Sequence, residues 1–330
     1  MSLLHIENLN VSLKVQNNDL LILEQFSLRM AENERLGLVG ESGSGKSTLA
    51  LAIMGLLSSN MKLTADYMNL DGEDLMKMSV EDRRCYISTK ASIIFQDPLA
   101  SLNPCFKISQ QINEILSLHA IRGKKLKHQT SVELLDAVAI RHPENVLKMY
   151  PYQLSGGMNQ RVAIAIAMIG NPKLLIADEP TTSLDVTIQS QILKLLFEQK
   201  RSSQTGIILI THDFPLLAES TDKIGVIYSG QMMEHASTKN ILKHPHHPYS
   251  RALLDSIPRM GQRHNKGSRL YSLGGQIPSL ENTPVGCRLG PRCNKAVKQC
   301  VKPPQLTSIE NHGKVRCHSP LYKNKELSRS

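Results

Sequence analysis

The chain predicts an α/β fold, and three stretches carry that expectation. Arg35-Leu36-Gly37-Leu38-Val39 is a short apolar run leading into the glycine-rich Gly40-Glu41-Ser42-Gly43-Ser44-Gly45-Lys46-Ser47, with a helical pattern behind it. A second apolar run, Lys173-Leu174-Leu175-Ile176-Ala177, ends in two carboxylates, Asp178 and Glu179. A third, Gly206 to Ile210, is followed at once by Thr211-His212-Asp213. Short apolar runs alternating with helical segments read as buried strands of a sheet carrying helices on its faces.

Length and composition bound the class. A chain of 330 residues suits one large domain or two ordinary ones. Its 41% hydrophobic and 21% charged residues are close to globular usage, which excludes wholesale disorder and a collagen-like chain. The longest apolar run, Val162 to Ile169, is far short of the roughly 18 to 20 residues that a membrane-spanning helix requires. The opening Met1-Ser2-Leu3-Leu4-His5-Ile6-Glu7 has neither a basic segment nor a long apolar one, so a cytoplasmic, chemically reduced protein is expected. The formal charge of +10 is unevenly spread: residues 1–250 carry 24 basic and 25 acidic side chains, residues 251–330 carry 15 and 4. The neutral first part argues against a nucleic-acid-binding core.

Taken in order, the strand 35–39 delivers the chain to a complete phosphate-binding loop. Gly40, Gly43 and Gly45 let the backbone turn successive N–H groups inward at a helix N-terminus, where the macrodipole also favours anions. Glu41, Ser42, Ser44 and Thr48 complete the loop and its first turn. Lys46 is expected to reach the β and γ phosphates of a nucleotide, and the Ser47 hydroxyl to complete the coordination of Mg2+. Thr48 to Leu57, with Leu49, Ala52, Ile53 and Leu56 on one face, fits the helix that follows. At the mouth of the second strand, Asp178 can hold Mg2+ through water and Glu179 can polarise a water for attack on the γ phosphate.

Before that strand lies Leu154-Ser155-Gly156-Gly157-Met158-Asn159-Gln160-Arg161, which resembles the signature sequence of ATP-binding-cassette ATPases. The order around it also matches the family. Gln96, in Phe95-Gln96-Asp97-Pro98, resembles the glutamine loop; Thr182-Ser183-Leu184-Asp185 resembles the aspartate loop, and His212 the switch histidine. The resemblance implies a phosphate-loop core with an antiparallel β subdomain over about residues 1–250. Its helical subdomain, over about 98–165, would dock on membrane subunits. It further implies a head-to-tail pair of cassettes hydrolysing MgATP, with Ser155, Gly156 and Gly157, ahead of a helix over Gln160–Ile169, serving the partner's nucleotide. Asp185 would contribute to the nucleotide site, Gln96 would touch Mg2+ and the attacking water, His212 would sense the γ phosphate, and Glu179 would act as base. One family feature is missing, since no aromatic lies between Ile6 and Phe26 where an adenine-stacking ring is usual. Either ATP binding is weaker by about 1 to 3 kcal/mol, or an apolar side chain such as Val15 or Leu20 substitutes.

Within the family, Gln96-Asp97-Pro98-Leu99-Ala100-Ser101-Leu102-Asn103-Pro104, the Gly-Gly-Met at 156–158, and His247-Pro248-Tyr249 with Leu253-Leu254 resemble the ATPases of oligopeptide and dipeptide transporters. The stretch from Ser268-Arg269-Leu270 to Pro278 and Gly286-Cys287-Arg288-Leu289-Gly290-Pro291-Arg292-Cys293 look most like the Sap (sensitivity to antimicrobial peptides) branch. That implies an ATPase subunit on the cytoplasmic face of a bacterial inner membrane, powering transport of cationic or antimicrobial peptides or of polyamines. Its expected partners are two integral membrane permease subunits, a second cassette that is a different chain, and, through the complex, a periplasmic substrate-binding protein; no nucleic acid is expected. Two alternatives stand beside this: a regulatory cassette paired with a more active ATPase, and a soluble nucleic-acid-associated cassette whose basic tail grips phosphates.

Proline and glycine punctuation at His244-Pro245-His246-His247-Pro248, Ile257-Pro258 and Leu273-Gly274-Gly275 places a boundary near residue 250, with a C-terminal extension over 251–330. Four of the six cysteines, Cys287, Cys293, Cys300 and Cys317, fall in this extension with 5, 6 and 16 residues between them. That spacing lacks the CxxC pairs of structural zinc sites. The residues leave a metal site or plain thiols open; resemblance to dipeptide-transporter ATPases that carry such a group implies a four-iron four-sulfur cluster.

Overall fold

Two parallel strands and the helices laid on them make the first of two compact units, comprising residues 1–3, 31–33 and 70–208. The computed structural model describes residues 2–16, 18–180, 205–257 and 273–322. Ala91–Ile94 and Leu174–Asp178 pair in parallel, Ala91 opposite Leu174 and Ile94 opposite Ala177. Leu174–Asp178 is buried along its whole length, as expected of a strand covered on both faces. Helix Val80–Lys90 feeds the first strand. Ser79 caps it by accepting from the Asp82 N–H at 3.1 Å, with Glu81 and Asp82 in the first turn and Lys90 in the last, as the helix dipole favours.

Helices Ile108–Leu118, Lys124–Ala137 and Gly156–Met168 pack against one another in the same unit. The first buries Ile108, Ile112 and Leu116, a single face at four-residue spacing. The last starts at Gly156, earlier than the Gln160 expected, because Ser155 caps it with Oγ accepting from the Met158 N–H at 3.3 Å.

The second unit, residues 4–30, 34–69 and 209–330, is built on Arg35–Val39, a strand with the bounds the sequence predicts. It runs parallel to Lys223–Tyr228, Val39 opposite Val226. Lys223–Tyr228 turns back antiparallel onto Gln231–Ser237, and the sheet then gains Gly313–Val315 and Thr307–Ile309 from the C-terminal segment. The antiparallel β layer is also present: most of the paired strands Ser2–Val15 and Asn18–Ala31 lie in this unit, with Met61–Thr64 beside the first. Helix Lys46–Met54 is shorter than expected. Gly55 ends it in the left-handed conformation (φ 67°), so Leu49, Ala52 and Ile53 are buried but Leu56 is 49% exposed. Strand Gly206–Ile210 carries the chain from one unit to the other. Before it the Gly206 N–H donates to the Lys173 carbonyl, and after it the Thr211 N–H donates to the Leu38 carbonyl at 3.2 Å.

Glu234, fully buried, ties the C-terminal segment to this sheet. It accepts from the backbone N–H groups of His246 at 2.7 Å and His247 at 3.0 Å, and its Oε1 lies 2.6 Å from His312 Nε2. Burial alone would raise its pKa, but the bonds from His312, His246 and His247 outweigh that and hold the carboxyl below its ordinary value. His247 caps helix Pro248–Asp255, its Nδ1 accepting from the Tyr249 N–H at 3.0 Å. Burial pushes both His235 and His247 down to about 4.

Replacing Glu234 by Ala leaves those buried donors without their acceptor, and a loss of about 3 to 5 kcal/mol in unfolding free energy is expected by denaturant titration. An ordinary histidine titrates near 6.5, so as pH falls from 6.5 towards about 4 the unfolded chain binds protons before the folded one. Stability is complete above that window and lost on descending through it. His247→Asn keeps an N-cap acceptor but removes one of these titrations, and melting temperature should then fall less steeply with pH across the window than in the wild type.

Candidate nucleotide site

The loop after Arg35–Val39 takes its shape from glycines without room for side chains. A Cβ at Gly40 would stand 2.1 Å from the Ile227 carbonyl oxygen, and Gly43 and Gly45 have φ of 79° and 98°. Gly45 is the N-cap of Lys46–Met54 and supplies no side-chain acceptor, so the first-turn N–H groups have no side-chain cap. Space outside Gly43 is open, with nothing within 4 Å of a Cβ built there. Lys46 is buried and folds over the loop, its Nζ donating to the carbonyls of Gly40 at 2.8 Å and Glu41 at 3.0 Å and standing 3.3 Å from Ser44 Oγ. Ser42 and Ser47 are exposed and Thr48 is half-buried. The loop thus combines a cationic side chain, helix-start amides and exposed hydroxyls with open space outside Gly43, a set suited to a polyphosphate.

His212 lies in the same unit, exposed, one residue beyond the Thr211 N–H bond to Leu38 that seats it beside the strand leading into the loop. Asp213 follows as N-cap of helix Phe214–Ser220, accepting from the Leu216 N–H at 3.2 Å. Of the two expected aromatic substitutes, Leu20 lines a cavity of about 280 Å3 with Pro284 and Val285 of the C-terminal segment, whereas Val15 is 38% exposed.

In the first unit, the parallel strands bring Gln96 and Glu179 together beyond their C-terminal ends, Gln96 Nε2 donating to Glu179 Oε2 at 3.1 Å. Such strand ends are where ligands of open α/β sheets bind. Glu179 has φ of 45°, a left-handed conformation that costs a side-chain-bearing residue about 1 to 2 kcal/mol and that recurs at functional positions. Asp178 precedes it, buried at the strand end. Gln96 and Asp178 in this unit, and separately Ser47 in the other, carry amide, carboxylate and hydroxyl oxygens, donors of the hard type that Mg2+ takes. Ser155 and Gly156 are exposed at the start of their helix, Gly157 half-buried, and space outside Gly156 is open. Asp185 lies outside the described residues, as do Ser268-Arg269-Leu270.

Two of the four C-terminal cysteines are joined by backbone, the Cys287 N–H donating to the Cys300 carbonyl at 2.8 Å. Burial pushes the Cys287 and Cys293 thiols up, and Cys317 to about 11, with the neighbouring thiols adding to each rise. All six cysteines are free thiols. Among the described residues, no group of three or more His, Cys, Asp or Glu side chains is placed to hold a metal ion. Charge counting also missed the fate of the tail's arginines. Arg288, Arg292 and Arg316 are turned inward, 4%, 8% and 3% exposed, with Arg288 donating to Glu24 at 2.6 Å and to the Ser229 carbonyl. Arg316 donates to the Met232 and Pro304 carbonyls.

Comparison with known proteins places these features. Residues 23–182 match the family profile described as "ABC transporter", and residues 233–300 that described as "Oligopeptide/dipeptide transporter, C-terminal region". The chain is 44% identical to the dipeptide transport ATP-binding protein DppD of Haemophilus influenzae, covering 97% of this chain and 96% of that one. It is 41% identical to the peptide transport system ATP-binding protein SapD of Escherichia coli, covering 99% and 100%. Among solved structures, the dimeric MJ0796, a bacterial ABC transporter cassette, superposes with a TM-score of 0.62 at 26% identity over 71% of this chain and 98% of that one. No helix among the described residues is long and apolar enough to cross a membrane.

The glycine geometry separates two substitutions. Gly40→Ala drives a methyl into backbone and should cost about 1 to 3 kcal/mol of stability together with most of the affinity for MgATP. Gly43→Ala meets only the backbone penalty, about 1 kcal/mol. Melting curves and MgATP titration check the order, and equal losses at the two positions would contradict the loop geometry.

Proposed function

This chain belongs to the ATP-hydrolysing subunits of oligopeptide and dipeptide ABC transporters, and we propose that it works as one of two unlike cassettes of a Sap-type transporter. The observation that carries the reading of the site is the phosphate loop itself, with Lys46 drawn over it and an uncapped helix start behind it. In this reading residues 1–250 form the cassette, with a helical subdomain over about 98–165, and 251–330 form an extension specific to the branch. The cargo is a cationic or antimicrobial peptide or a polyamine. The partners are two permease subunits, a second cassette of a different chain and, through the complex, a periplasmic binding protein; the chain sits peripherally on the cytoplasmic face of the inner membrane.

Each residue then has a task. Loop amides from Gly43 to Thr48 and the Lys46 ammonium bind the β and γ phosphates. Ser47, Asp178 and Gln96 would hold Mg2+, which when bound neutralises phosphate charge. Glu179 accepts a proton from the attacking water, held in orientation by Gln96 and His212, while the bond from the γ phosphorus to the bridging oxygen breaks and ADP departs. Ser155, Gly156, Gly157 and Asp185 serve the nucleotide held by the partner cassette. In place of the absent adenine-stacking ring, either an apolar side chain such as Val15 or Leu20 substitutes or ATP binds more weakly. Inward-turned Arg288, Arg292 and Arg316 are unavailable to grip phosphates at a surface, which weighs against the nucleic-acid alternative. The resemblance to dipeptide-transporter ATPases makes the four cysteines ligands of a four-iron four-sulfur cluster that clamps the extension, although in this structure they are not gathered into a metal site.

Three measurements test these assignments. Glu179→Gln should bind MgATP as the wild type does yet nearly stop turnover; turnover within about threefold of wild type would remove Glu179 as base. Cys293→Ser should remove bound iron from anaerobically purified protein, and unchanged iron content would remove it as a ligand. Tagged chain drawn from detergent-solubilised membranes should bring two membrane proteins and a second cassette in stoichiometric amounts, whereas co-purification with ribosomes or nucleic acid alone would overturn the transport assignment.

A further inference from the structure

Within the second unit, the cysteine-bearing segment reaches the phosphate loop through one side chain. Arg292 Nη1 donates to Glu41 Oε2 at 3.0 Å and to the Tyr228 hydroxyl at 3.1 Å. Its Nε donates to the Gly274 carbonyl at 2.9 Å and its Nη2 to the Leu273 carbonyl at 3.3 Å, so all three guanidinium nitrogens are engaged. The guanidinium carbon lies 5.6 Å from the centre of the Tyr228 ring, which packs edge-on against Tyr249. Tyr249 completes the hold, its hydroxyl accepting the Glu41 N–H at 2.9 Å. The Glu41 carbonyl in turn accepts from Lys46 Nζ. Glu41 is therefore gripped at its carboxylate, amide and carbonyl.

We propose that Arg292 is a positioning residue for nucleotide binding: by pairing with Glu41 it fixes the start of the phosphate loop and neutralises the one carboxylate the loop carries, making the C-terminal segment a working part of the ATP site. The physical argument concerns charge. Glu41 stands in a loop built to receive a triphosphate, and an unpaired carboxylate there repels the ligand and draws on the Lys46 ammonium meant for it. A guanidinium with partners on both sides cancels that charge without competing for phosphate, because four of its five donors are already used. This rests on the reading of Gly40–Thr48 as the phosphate loop.

The test is MgATP titration of the full-length chain by calorimetry, at low and at high salt, for wild type, Arg292→Ala, Arg292→Lys, Glu41→Gln and the double variant Arg292→Ala/Glu41→Gln. Arg292→Ala should weaken binding by about tenfold at low salt and by less at high salt, since the repulsion of a half-exposed carboxylate is screened. Arg292→Lys should lie between. The double variant should regain a large part of the loss, because the charge that Arg292 offset is gone. A residue that merely braced the fold would lower affinity equally at both salts, and removing Glu41 would not restore it. Should Arg292→Ala melt too low for titration, Arg292→Lys with and without Glu41→Gln carries the same comparison. Wild-type affinity in Arg292→Ala, or losses that multiply in the double variant, would overturn the proposal. A wild-type chain that binds no MgATP while remaining folded would overturn the loop assignment and the proposal with it.

Discussion

The contact on which the second unit depends is the approach of Gly40 to the Ile227 carbonyl. Parallel pairing of Val39 with Val226 brings the ends of two buried strands so close that no Cβ fits between them. The chain must turn there, and the glycines at 43 and 45 complete the turn in conformations that other residues adopt only at a cost. The Gly230 N–H holds the loop from the far side by donating to the Ser44 carbonyl at 2.8 Å, so the turn after Lys223–Tyr228 and the phosphate loop shape each other. Helix Lys46–Met54 then starts where the loop leaves it, with no side chain capping its first turn. The shape of this loop is a consequence of strand spacing before it is a matter of side-chain chemistry.

The first unit follows the same logic with different groups. Two parallel strands end side by side and deliver Gln96 and Glu179 within a hydrogen bond of each other, and the left-handed backbone at Glu179 is maintained by the buried strand behind it. The Gln96 amide, which donates to that carboxylate, also begins the stretch leading into the helices from Pro98 onward. A change in what Glu179 or Gln96 binds therefore has a direct covalent route into the helical part of the unit.

Much of this was legible in the sequence because the signals were local. Arg35–Val39 and Gly206–Ile210 have the expected bounds, each being an uninterrupted apolar run between polar punctuation. Helix ends are less legible from periodicity: Gly55 and Ser155 are ordinary stop and start signals, so one helix is shorter and one begins earlier than periodicity alone implies. The C-terminal segment was the least legible. Its positive charge count says nothing of partners, yet Arg288 and Arg292 find their carboxylates at Glu24 and Glu41, more than two hundred residues away. No local pattern announces such a pairing. The strands Thr307–Ile309 and Gly313–Val315 are equally silent, three residues each and stabilised by a sheet edge formed elsewhere.

Two couplings meet at residues 40–48: loop amides with a nucleotide, as proposed, and the C-terminal segment with the loop through Arg292 and Glu41. Amide hydrogen exchange of the full-length chain, with and without MgATP, addresses both at once. The account predicts that nucleotide slows exchange over residues 40–48 and, through Arg292 and Glu41, over residues 286–293. Unchanged exchange in the loop at saturating MgATP, or protection confined to some other part of the chain, would contradict it.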